Sequence, residues 1–362
     1  MSEERRQTTT ARLRRLIKDI LSLRQRLAAA ENAISNLAEA QTRLLASAKQ
    51  QTRALDHAKR RSEKLVRDLE AKMRFIVAIN NGEQVNSRFQ QLGYSEPQFF
   101  INKNELSIYS QNGEDGALLA IFKVIGSPYR TFIEISPGNG IECNCANLAI
   151  NFHWSGLMID SDERNMATAR AFYEAMLRTS AKNVTLQAAT VSAENINELI
   201  LMGGFSGEVD LLSIDVDGND FWLWQAVKVV SPRVVVCEFN RSLGDSALTI
   251  PYDPHFRRGT NGPKQYYGAS LRALCHLGQK LGYSLVGRER SGVNAFFVRK
   301  DLLKEPLREA DPDLVLQDPM YRFTINQTAP ALFQDLPWIE IGPEGEPRPL
   351  SASQLAHQTD QT

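Results

Sequence analysis

Residues 132–148 read FIEISPGNGIECNCANL, and this stretch decides how the fold is interpreted. It begins as an apolar strand, breaks at Ser136-Pro137-Gly138-Asn139-Gly140 and continues as a helical pattern. Glu134 stands inside the apolar run, where an unpaired buried carboxylate would be costly. Glycines after a parallel strand let the backbone approach a ligand closely. The stretch therefore predicts a ligand-binding strand–turn–helix unit, in which a ligand ammonium group or a nearby backbone donor partners Glu134.

Short apolar runs alternate with helical patterns over residues 107–300, which predicts an α/β domain. The predicted strands are Thr131–Ile135, Gly156–Asp160, Val184–Ala188, Val209–Asp215, Arg233–Phe239, Tyr283–Gly287 and Ala295–Arg299. The predicted helices are Gly113–Val124, Cys143–Phe152, Glu163–Leu177, Ala193–Met202, Asp220–Lys228 and Ala269–Leu281. Residues 80–106 lose the periodicity and are interpreted as a linker. Residues 301–362, which are rich in proline and end in polar residues, are interpreted as a C-terminal tail that docks on the body.

The N-terminal segment carries a heptad pattern. Apolar or small residues, interrupted by the polar residues Gln41, Gln51 and Lys72, recur at alternating steps of three and four from Leu13 to Ile79, without proline or glycine. The pattern predicts a long α-helical coiled coil over residues 1–79, roughly 100 Å in length. Because a lone polar helix is unstable in water, the coiled coil predicts a homo-oligomer. A helical hairpin that bends near Gln41 or Gln51 is the alternative, and the number of strands stays open.

The charges of the chain are unevenly distributed. Its 42 basic and 42 acidic residues cancel, but residues 1–75 hold 18 Lys and Arg against 9 Asp and Glu. These basic residues alternate with acidic and apolar ones and have no interleaved aromatic residues, so no nucleic acid partner is predicted. A solvated coiled-coil face explains them, and contact with an anionic membrane surface stays open as an alternative.

The cysteines and the N-terminus indicate the cellular compartment in which the protein is expected. Cys143-x-Cys145 lacks the second pair that a zinc site needs, so the four cysteines are predicted to be buried free thiols. The N-terminus has no apolar signal-peptide core, and no stretch reaches the length of a membrane span. A soluble, cytoplasmic protein is therefore expected.

The turn after the first strand narrows the choice of cofactor. No Lys-Ser/Thr follows it, which argues against a nucleoside triphosphatase, and Cys143 replaces the third glycine of a dinucleotide-binding motif. Asp160 ends the second strand at the position where nucleotide-binding folds place an acid for ribose hydroxyls. A cofactor with an adenosine, no pyrophosphate and a positive group remains, and S-adenosylmethionine fits this description.

The body resembles a class I S-adenosylmethionine-dependent methyltransferase of the FkbM-like type. The resemblance covers about residues 107–300 and depends on motifs in the family's order: YSQNGEDGALLAIF, FIEISPGNGIECN, GLMIDSD, DLLSIDVDGND, VVVCEFN and GASLRALCHLGQKLGYSLVG with NAFFVR. It implies a Rossmann-like seven-stranded sheet with an antiparallel last strand, the cofactor over the first two strands, and the acceptor over strands four and five.

The resemblance also implies roles for particular residues. It assigns Glu134, Gly138 and Gly140 to the first cofactor motif. Asp160 would bind the ribose hydroxyls, and Asp215 would lie beside the methionine part. Ser110 and Gln111, just before the first helix, would close over the cofactor.

Ser136 departs from the family pattern, because it replaces the first glycine of E-x-G-x-G-x-G. A serine at positive φ would be strained. Pro137 restricts the preceding residue to extended geometry, so we expect Ser136 to be extended.

Acidic residues follow the fourth and fifth strands. The segment from Asp215 to Asp220 does not fit a calcium-binding EF-hand loop, because its glycine comes too early, and no metal is predicted. Asp215, Asp217 and Glu238 are the predicted catalytic residues, and Asp217 is the candidate general base for a hydroxyl acceptor. Helix capping is the alternative role for Asn219 and Asp220.

An insertion at residues 249–267 combines aromatic and basic side chains. They include Tyr252, His255, Arg257, Arg258, Lys264 and two further tyrosines. Such a mixture suits a sugar or phosphosugar, and an ordinary surface loop is the alternative.

These features predict a methyltransferase that transfers the methyl group to an oxygen of a glycan or related small-molecule acceptor. In-line methyl transfer depends mostly on positioning, so a catalytic triad is not required. The alternative is a non-catalytic coiled-coil assembly protein whose degenerate methyltransferase-like domain binds a ligand or partner.

Overall fold

The computed structural model describes residues 100–177, 183–316 and 336–350, together with ten separate residues between 32 and 59. The chain divides into two compact units, residues 1–70 and 71–362. The ten described residues of the first unit are helical and exposed. Most of the predicted coiled coil, and the linker up to residue 99, lie outside the described residues, so both stay predictions.

The second unit contains a central sheet, a small sheet and surrounding helices. The strands are β1 Thr131–Ile135, β2 Ser155–Asp160, β3 Val184–Ala188, β4 Gly207–Ile214, β5 Val230–Glu238, β6 Leu248–Thr249, β7 Tyr283–Arg288, β8 Asn294–Arg299, β9 Trp338–Ile341 and β10 Pro347–Leu350. The α-helices are α1 Phe100–Lys103, α2 Glu114–Ile125, α3 Ala146–Phe152, α4 Glu163–Leu177, α5 Ile196–Met202, α6 Asp220–Ala226, α7 Leu271–Leu281 and α8 Pro312–Leu316.

The central sheet has the order β3-β2-β1-β4-β5-β8-β7. The first five strands in this order are parallel, whereas β8 is antiparallel to both β5 and β7. This arrangement confirms the predicted seven-stranded sheet with an antiparallel last strand. The predicted strands and helices of the body all occur, with small differences at their ends.

Helices cover both faces of the sheet, which explains why its strands are continuous apolar runs. Alternate residues of β1 enter different cores: Phe132 packs with α2, α3 and α4, and Ile133 packs with α5, α6 and α7. Glu134 therefore faces the same side as Phe132. Within the described ranges, no helix combines the length and the apolarity needed to cross a membrane.

The strand order reverses at β1 and β4, because the chain runs outward to β3 on one side and to β5 on the other. The backbone N–H of Asp215 donates to the carbonyl of Ile135 at 3.3 Å, so the carboxyl ends of β1 and β4 lie side by side. Open α/β sheets bind ligands at such an edge. The residues that follow β1, β2, β4 and β5 are therefore the candidates for function.

A three-stranded sheet of β10, β9 and β6 was not among the predicted elements. It joins the insertion to the C-terminal segment. Trp338 is buried and packs edge-to-face on Tyr266 at 4.9 Å between ring centroids. Part of the predicted C-terminal tail is thus integrated into the body next to the insertion.

Candidate active site

The turn after β1 combines three residues in the left-handed region: Ser136, Gly138 and Gly140 have φ values of 61°, 57° and 67°. A β-carbon at Gly138 would meet nothing within 4 Å, so this position leaves open space for a ligand. A β-carbon at Gly140 would lie 2.8 Å from Cβ of Ala169. The two glycines thus have different tasks: Gly138 permits close approach from outside, and Gly140 permits close packing on α4.

The extended geometry expected for Ser136 is wrong. Its N–H donates to the carbonyl of Ile159 at 2.7 Å, which continues the pairing of β1 with β2. The chain must then bend sharply to bring residues 143–145 back over β1. This tertiary requirement outweighs the restriction that Pro137 imposes on the residue before it.

Glu134 is 3% exposed and bound by backbone donors. Its Oε1 accepts from the N–H of Asn144 at 2.8 Å, and its Oε2 accepts from the N–H of Cys145 at 3.0 Å. Burial raises the pKa of this carboxyl. Asn144 also donates through its side chain to the Ser213 hydroxyl at 3.0 Å, which ties the loop to β4. The backbone donors expected as partners of Glu134 are thus present.

Asp160 ends β2 and is buried. Its Oδ1 accepts from the N–H of Asp162 at 2.8 Å and from the side chain of Asn165 at 3.2 Å. Among the described residues, Oδ2 has no hydrogen-bond partner, which leaves this oxygen for a ligand hydroxyl.

Ser110 holds the loop before α2. Its hydroxyl accepts from the N–H of Asp115 at 3.0 Å, and Asp115 Oδ2 in turn accepts from the N–H groups of residues 108–110. Burial raises the pKa of Asp115 to about 7. The structure therefore gives the Ser110 hydroxyl a partner within its own loop.

Gln111 lines a polar cavity of about 280 Å³ with Asn112, Arg290, Ser291 and others. The Ser291 hydroxyl donates to the Asn112 side chain at 2.9 Å across this cavity. In the described part of the chain, Gln111 makes no hydrogen bond to the residues around the β1 turn. The cavity lies at the tip of the β7–β8 hairpin, which approaches the end of β5 at the same edge of the sheet.

Three carboxylates form a cluster at the ends of β4 and β5, which we call the carboxylate cluster. Asp215, Asp220 and Glu238 each contribute one carboxylate oxygen, and these three oxygens all lie within 4.8 Å of one another. Asp220 and Glu238 are buried, and Asp215 is partly exposed. The structure thus brings together two predicted catalytic residues, Asp215 and Glu238, with Asp220. The Asp220 carboxylate does not cap α6, because it accepts from the N–H groups of Val216 and Gly218.

Burial, followed by repulsion from neighbouring carboxylates, raises the pKa values of the cluster. Asp215 reaches about 7, chiefly through burial and the nearby Asp220 and Asp217. Burial also raises the pKa of Asp220 to about 6, and that of Glu238 lies well above its ordinary value. The folded protein therefore holds protons on this cluster at pH values where an exposed acid would be ionised.

Arg258, from the insertion, is the cation beside these acids. Its guanidinium forms an ion pair with Asp217 and lies 3.7 Å from Glu238 Oε1. It also stacks over the Tyr267 ring at 3.5 Å. Asp217 itself is exposed and has a φ of 55°.

The other residues singled out in the insertion do not reach the carboxylate cluster through hydrogen bonds. Tyr252 donates to Glu194, and the backbone N–H of the exposed His255 donates to Asp253. The sequence predicts that the aromatic and basic groups of the insertion suit a sugar, but it gives no sign that Arg258 and Tyr267 lie beside the acids. The position of Asp220 after two other acids is a sequence signal for a site residue, and helix capping is its alternative role.

Comparison with known proteins gives structural likeness alone. The sequence matches no protein-family model and no curated protein. The N-terminal domain of EvdMO1 with S-adenosylhomocysteine bound matches with 15% identity and a TM-score of 0.35, covering 51% of this chain and 79% of that chain. Magnesium protoporphyrin IX methyltransferase from Synechocystis PCC 6803 with bound S-adenosylmethionine has 12% identity and a TM-score of 0.34, covering 51% and 77%.

A third solved structure is the O-methyltransferase from Bacillus cereus in complex with S-adenosylhomocysteine. It has 13% identity and a TM-score of 0.35, and the match covers 59% of this chain and 87% of that chain. Likeness at this level assigns no activity to the chain, so its function has to be argued from its own residues.

Proposed function

We propose that the chain is an FkbM-like S-adenosylmethionine-dependent methyltransferase that methylates a hydroxyl oxygen of a glycan or related acceptor. The observation that carries the proposal is the arrangement at the strand-order reversal. The glycine turn and Asp160 lie at the ends of β1 and β2, and acidic residues lie at the ends of β4 and β5. A cofactor site and an acceptor site are thereby adjacent on one edge of the sheet.

The residues around β1 and β2 fit the cofactor. Gly138 leaves space for close approach, and the open Oδ2 of Asp160 suits a ribose hydroxyl. Asp215 lies between this region and the acids after β5, where the positively charged part of the cofactor would be stabilised. When bound, the cofactor supplies an electrophilic methyl group. The chain itself supplies orientation, and Glu134 keeps the binding loop in place.

The acceptor side offers a base and a recognition surface. A carboxyl with a pKa of about 7 can take a proton from a bound hydroxyl near neutral pH, so we assign the general-base role to Asp215. Glu238 lies next to it. Asp217 is ion-paired with Arg258 and is assigned to position that arginine. Arg258 and Tyr267 suit a sugar or phosphosugar, since aromatic rings stack on sugars and guanidinium groups bind phosphate oxygens.

The proposal extends to assembly and location. Leu37, at a seam position of the predicted coiled coil, is 70% exposed in the single chain, which supports a homo-oligomer formed by this segment. All four cysteines are buried and free, as predicted, and this supports a cytoplasmic location. Light scattering of the full chain tests the assembly, and a monomeric mass at micromolar concentration would contradict it.

Calorimetry with S-adenosylmethionine and S-adenosylhomocysteine tests the function. We expect micromolar binding, about −8 kcal/mol. Asp160→Asn should weaken binding by about 1–3 kcal/mol through loss of a charged acceptor. Asp162→Asn is the matched control, because Asp162 is bonded to Arg164 on the surface and should leave binding unchanged.

Methyl transfer is then measured with labelled cofactor and a panel of sugars, phosphosugars and glycans. Absence of heat and of thermal stabilisation with both cofactor forms would refute the enzyme and favour the assembly protein. Binding without transfer to any hydroxyl compound would restrict the chain to a ligand-binding role.

A further inference from the structure

The carboxylate cluster is assembled from three separate elements. Asp215 follows β4, Asp220 is the first residue of α6, and Glu238 is the last residue of β5. Because β4 and β5 are parallel neighbours, their ends meet, and the turn into α6 adds the third carboxylate. The cluster is therefore a product of the sheet and not of a sequence motif.

Negative charge exceeds positive charge at this cluster. The ion pairs of the described residues give it one cation, Arg258, which lies 3.7 Å from Glu238 and is shared with Asp217. Neither Asp215 nor Asp220 has an ion-pair partner in the described ranges. Several carboxylates close together in a buried place are unfavourable unless a proton or a cation compensates them.

Glu238 points to a ligand independently of the clustering. Its side chain is 6% exposed, and its buried Oε2 has no hydrogen-bond partner within the described structure. Buried carboxylate oxygens are normally bonded, so this oxygen is available to a ligand. Asp220 accepts one N–H on each oxygen and keeps further lone pairs. Asp215 is partly exposed and provides access from solvent.

We propose that Asp215, Asp220 and Glu238 bind a divalent cation that prefers oxygen ligands, such as Mg²⁺ or Mn²⁺. Hard cations of this kind are bound by carboxylates together with water or substrate oxygens. The cation would compensate the excess negative charge and place a positive charge beside the site assigned to the acceptor hydroxyl. This role in acceptor binding depends on the proposed function, whereas cation binding itself does not. With the cation bound, Asp215 would be an ionised ligand, so the general-base role proposed for Asp215 applies to the chain without a divalent cation.

The proposal revises the expectation of no metal site. That expectation came from the spacing of residues 215–220, which does not fit a calcium loop. The third carboxylate comes from β5, and spacing within one segment carries no information about it.

Calorimetry with MnCl₂ and MgCl₂ tests the proposal on the full chain after treatment with a chelator. We expect one cation per chain. Glu238→Gln and Asp215→Asn should each weaken binding at least about tenfold by removing a charged ligand. Glu163→Gln, an exposed acid at the start of α4, is the matched control and should bind as the unmodified chain does. Circular dichroism verifies that each variant folds; if Glu238→Gln does not, the partly exposed Asp215→Asn carries the test.

Arg258→Gln should strengthen binding of the divalent cation, whereas the variants above weaken it. It removes the competing cation, so divalent binding should tighten by about threefold or more. Absence of cation binding, or equal binding by Glu238→Gln and the unmodified chain, would overturn the proposal. Calorimetry with S-adenosylhomocysteine on the same preparation tests the proposed function separately from cation binding. If the chain binds S-adenosylhomocysteine but no cation, the metal site is refuted and the proposed function is not.

Discussion

The acids at the two halves of the sheet edge, beside β1 and beside β4 and β5, differ in their hydrogen bonding. Beside β1, Glu134 has a backbone N–H on each carboxylate oxygen. Beside β4 and β5, the carboxylate cluster holds three acids within 4.8 Å, and one oxygen of Glu238 has no partner in the described chain. In both halves burial raises the pKa of the acids.

The difference indicates what each acid does for the fold. Glu134 completes the folded structure, because its bonds hold the loop that follows the glycine turn. The carboxylate cluster is unfavourable in the folded chain alone, as expected for a site that a ligand or proton completes. Removing Glu134 should therefore lower the unfolding free energy of the protein, whereas removing the charge of an acid in the carboxylate cluster should raise it.

The largest effect is expected for Glu134→Ala. The change leaves the N–H groups of Asn144 and Cys145 buried without acceptors, which should cost about 3 kcal/mol of unfolding free energy. Denaturant unfolding measures it. Glu174→Ala, in an exposed position of α4, is the control and should change stability by less than about 0.5 kcal/mol. An effect at Glu134 no larger than the control would remove the distinction between the two halves.

Gly140→Ala should be the next largest. The added β-carbon would be 2.8 Å from Ala169 in a left-handed conformation, and we expect a loss of about 2 kcal/mol. Gly138→Ala shares the positive φ but has open space, so it should cost only about 1 kcal/mol. Thermal and denaturant unfolding measure both losses. If the two variants lose equal amounts of unfolding free energy, packing on α4 does not distinguish the two glycines.

Asp215→Asn should stabilise the protein at high pH. The unfolded chain releases the Asp215 proton near pH 3.8, whereas the folded chain keeps it up to about pH 7. Stability therefore falls as pH rises between these values and then stays level. Since Asp215 is partly exposed, we expect the variant to gain a reduced amount, about 1–2 kcal/mol at pH 8.

Near pH 4 the Asp215→Asn gain should disappear, because the wild-type carboxyl is then protonated in the folded state. Unfolding free energies at the two pH values, measured in the presence of a chelator, decide the matter. A gain of equal size at both pH values would mean that charge at the carboxylate cluster is not the cause.

Ser136→Gly should have the smallest effect. At a φ of 61° the serine β-carbon costs about 1 kcal/mol that glycine avoids, so the variant should be slightly more stable and bind cofactor at least as well. Ser161→Gly, an exposed residue without positive φ, should instead lose a few tenths of a kcal/mol. A lower melting temperature for Ser136→Gly would argue that Ser136 is extended in solution.

The secondary-structure elements of the body and their α/β class could be predicted from the amino-acid pattern alone. The strands Thr131–Ile135 and Val184–Ala188 have the bounds that were predicted. Thr131–Ile135 is buried from Phe132 to Ile135 between two layers of helices, so its side chains must be mostly apolar. The glycine turn, Asp160 and the acids after β4 and β5 were likewise visible, since each lies at the end of a predicted strand.

Which of these residues lie together depends on contacts between distant parts of the chain. Ser136 is left-handed because the loop must return to Glu134, and no local preference expresses that requirement. Asp220 joins Glu238, and Arg258 reaches Asp217, across segments that are far apart in the chain. The sheet that contains β9 was missed because it pairs the insertion with a segment about 90 residues later. Periodicity reports which face of an element is buried, whereas the packing of distant elements decides which side chains share a site.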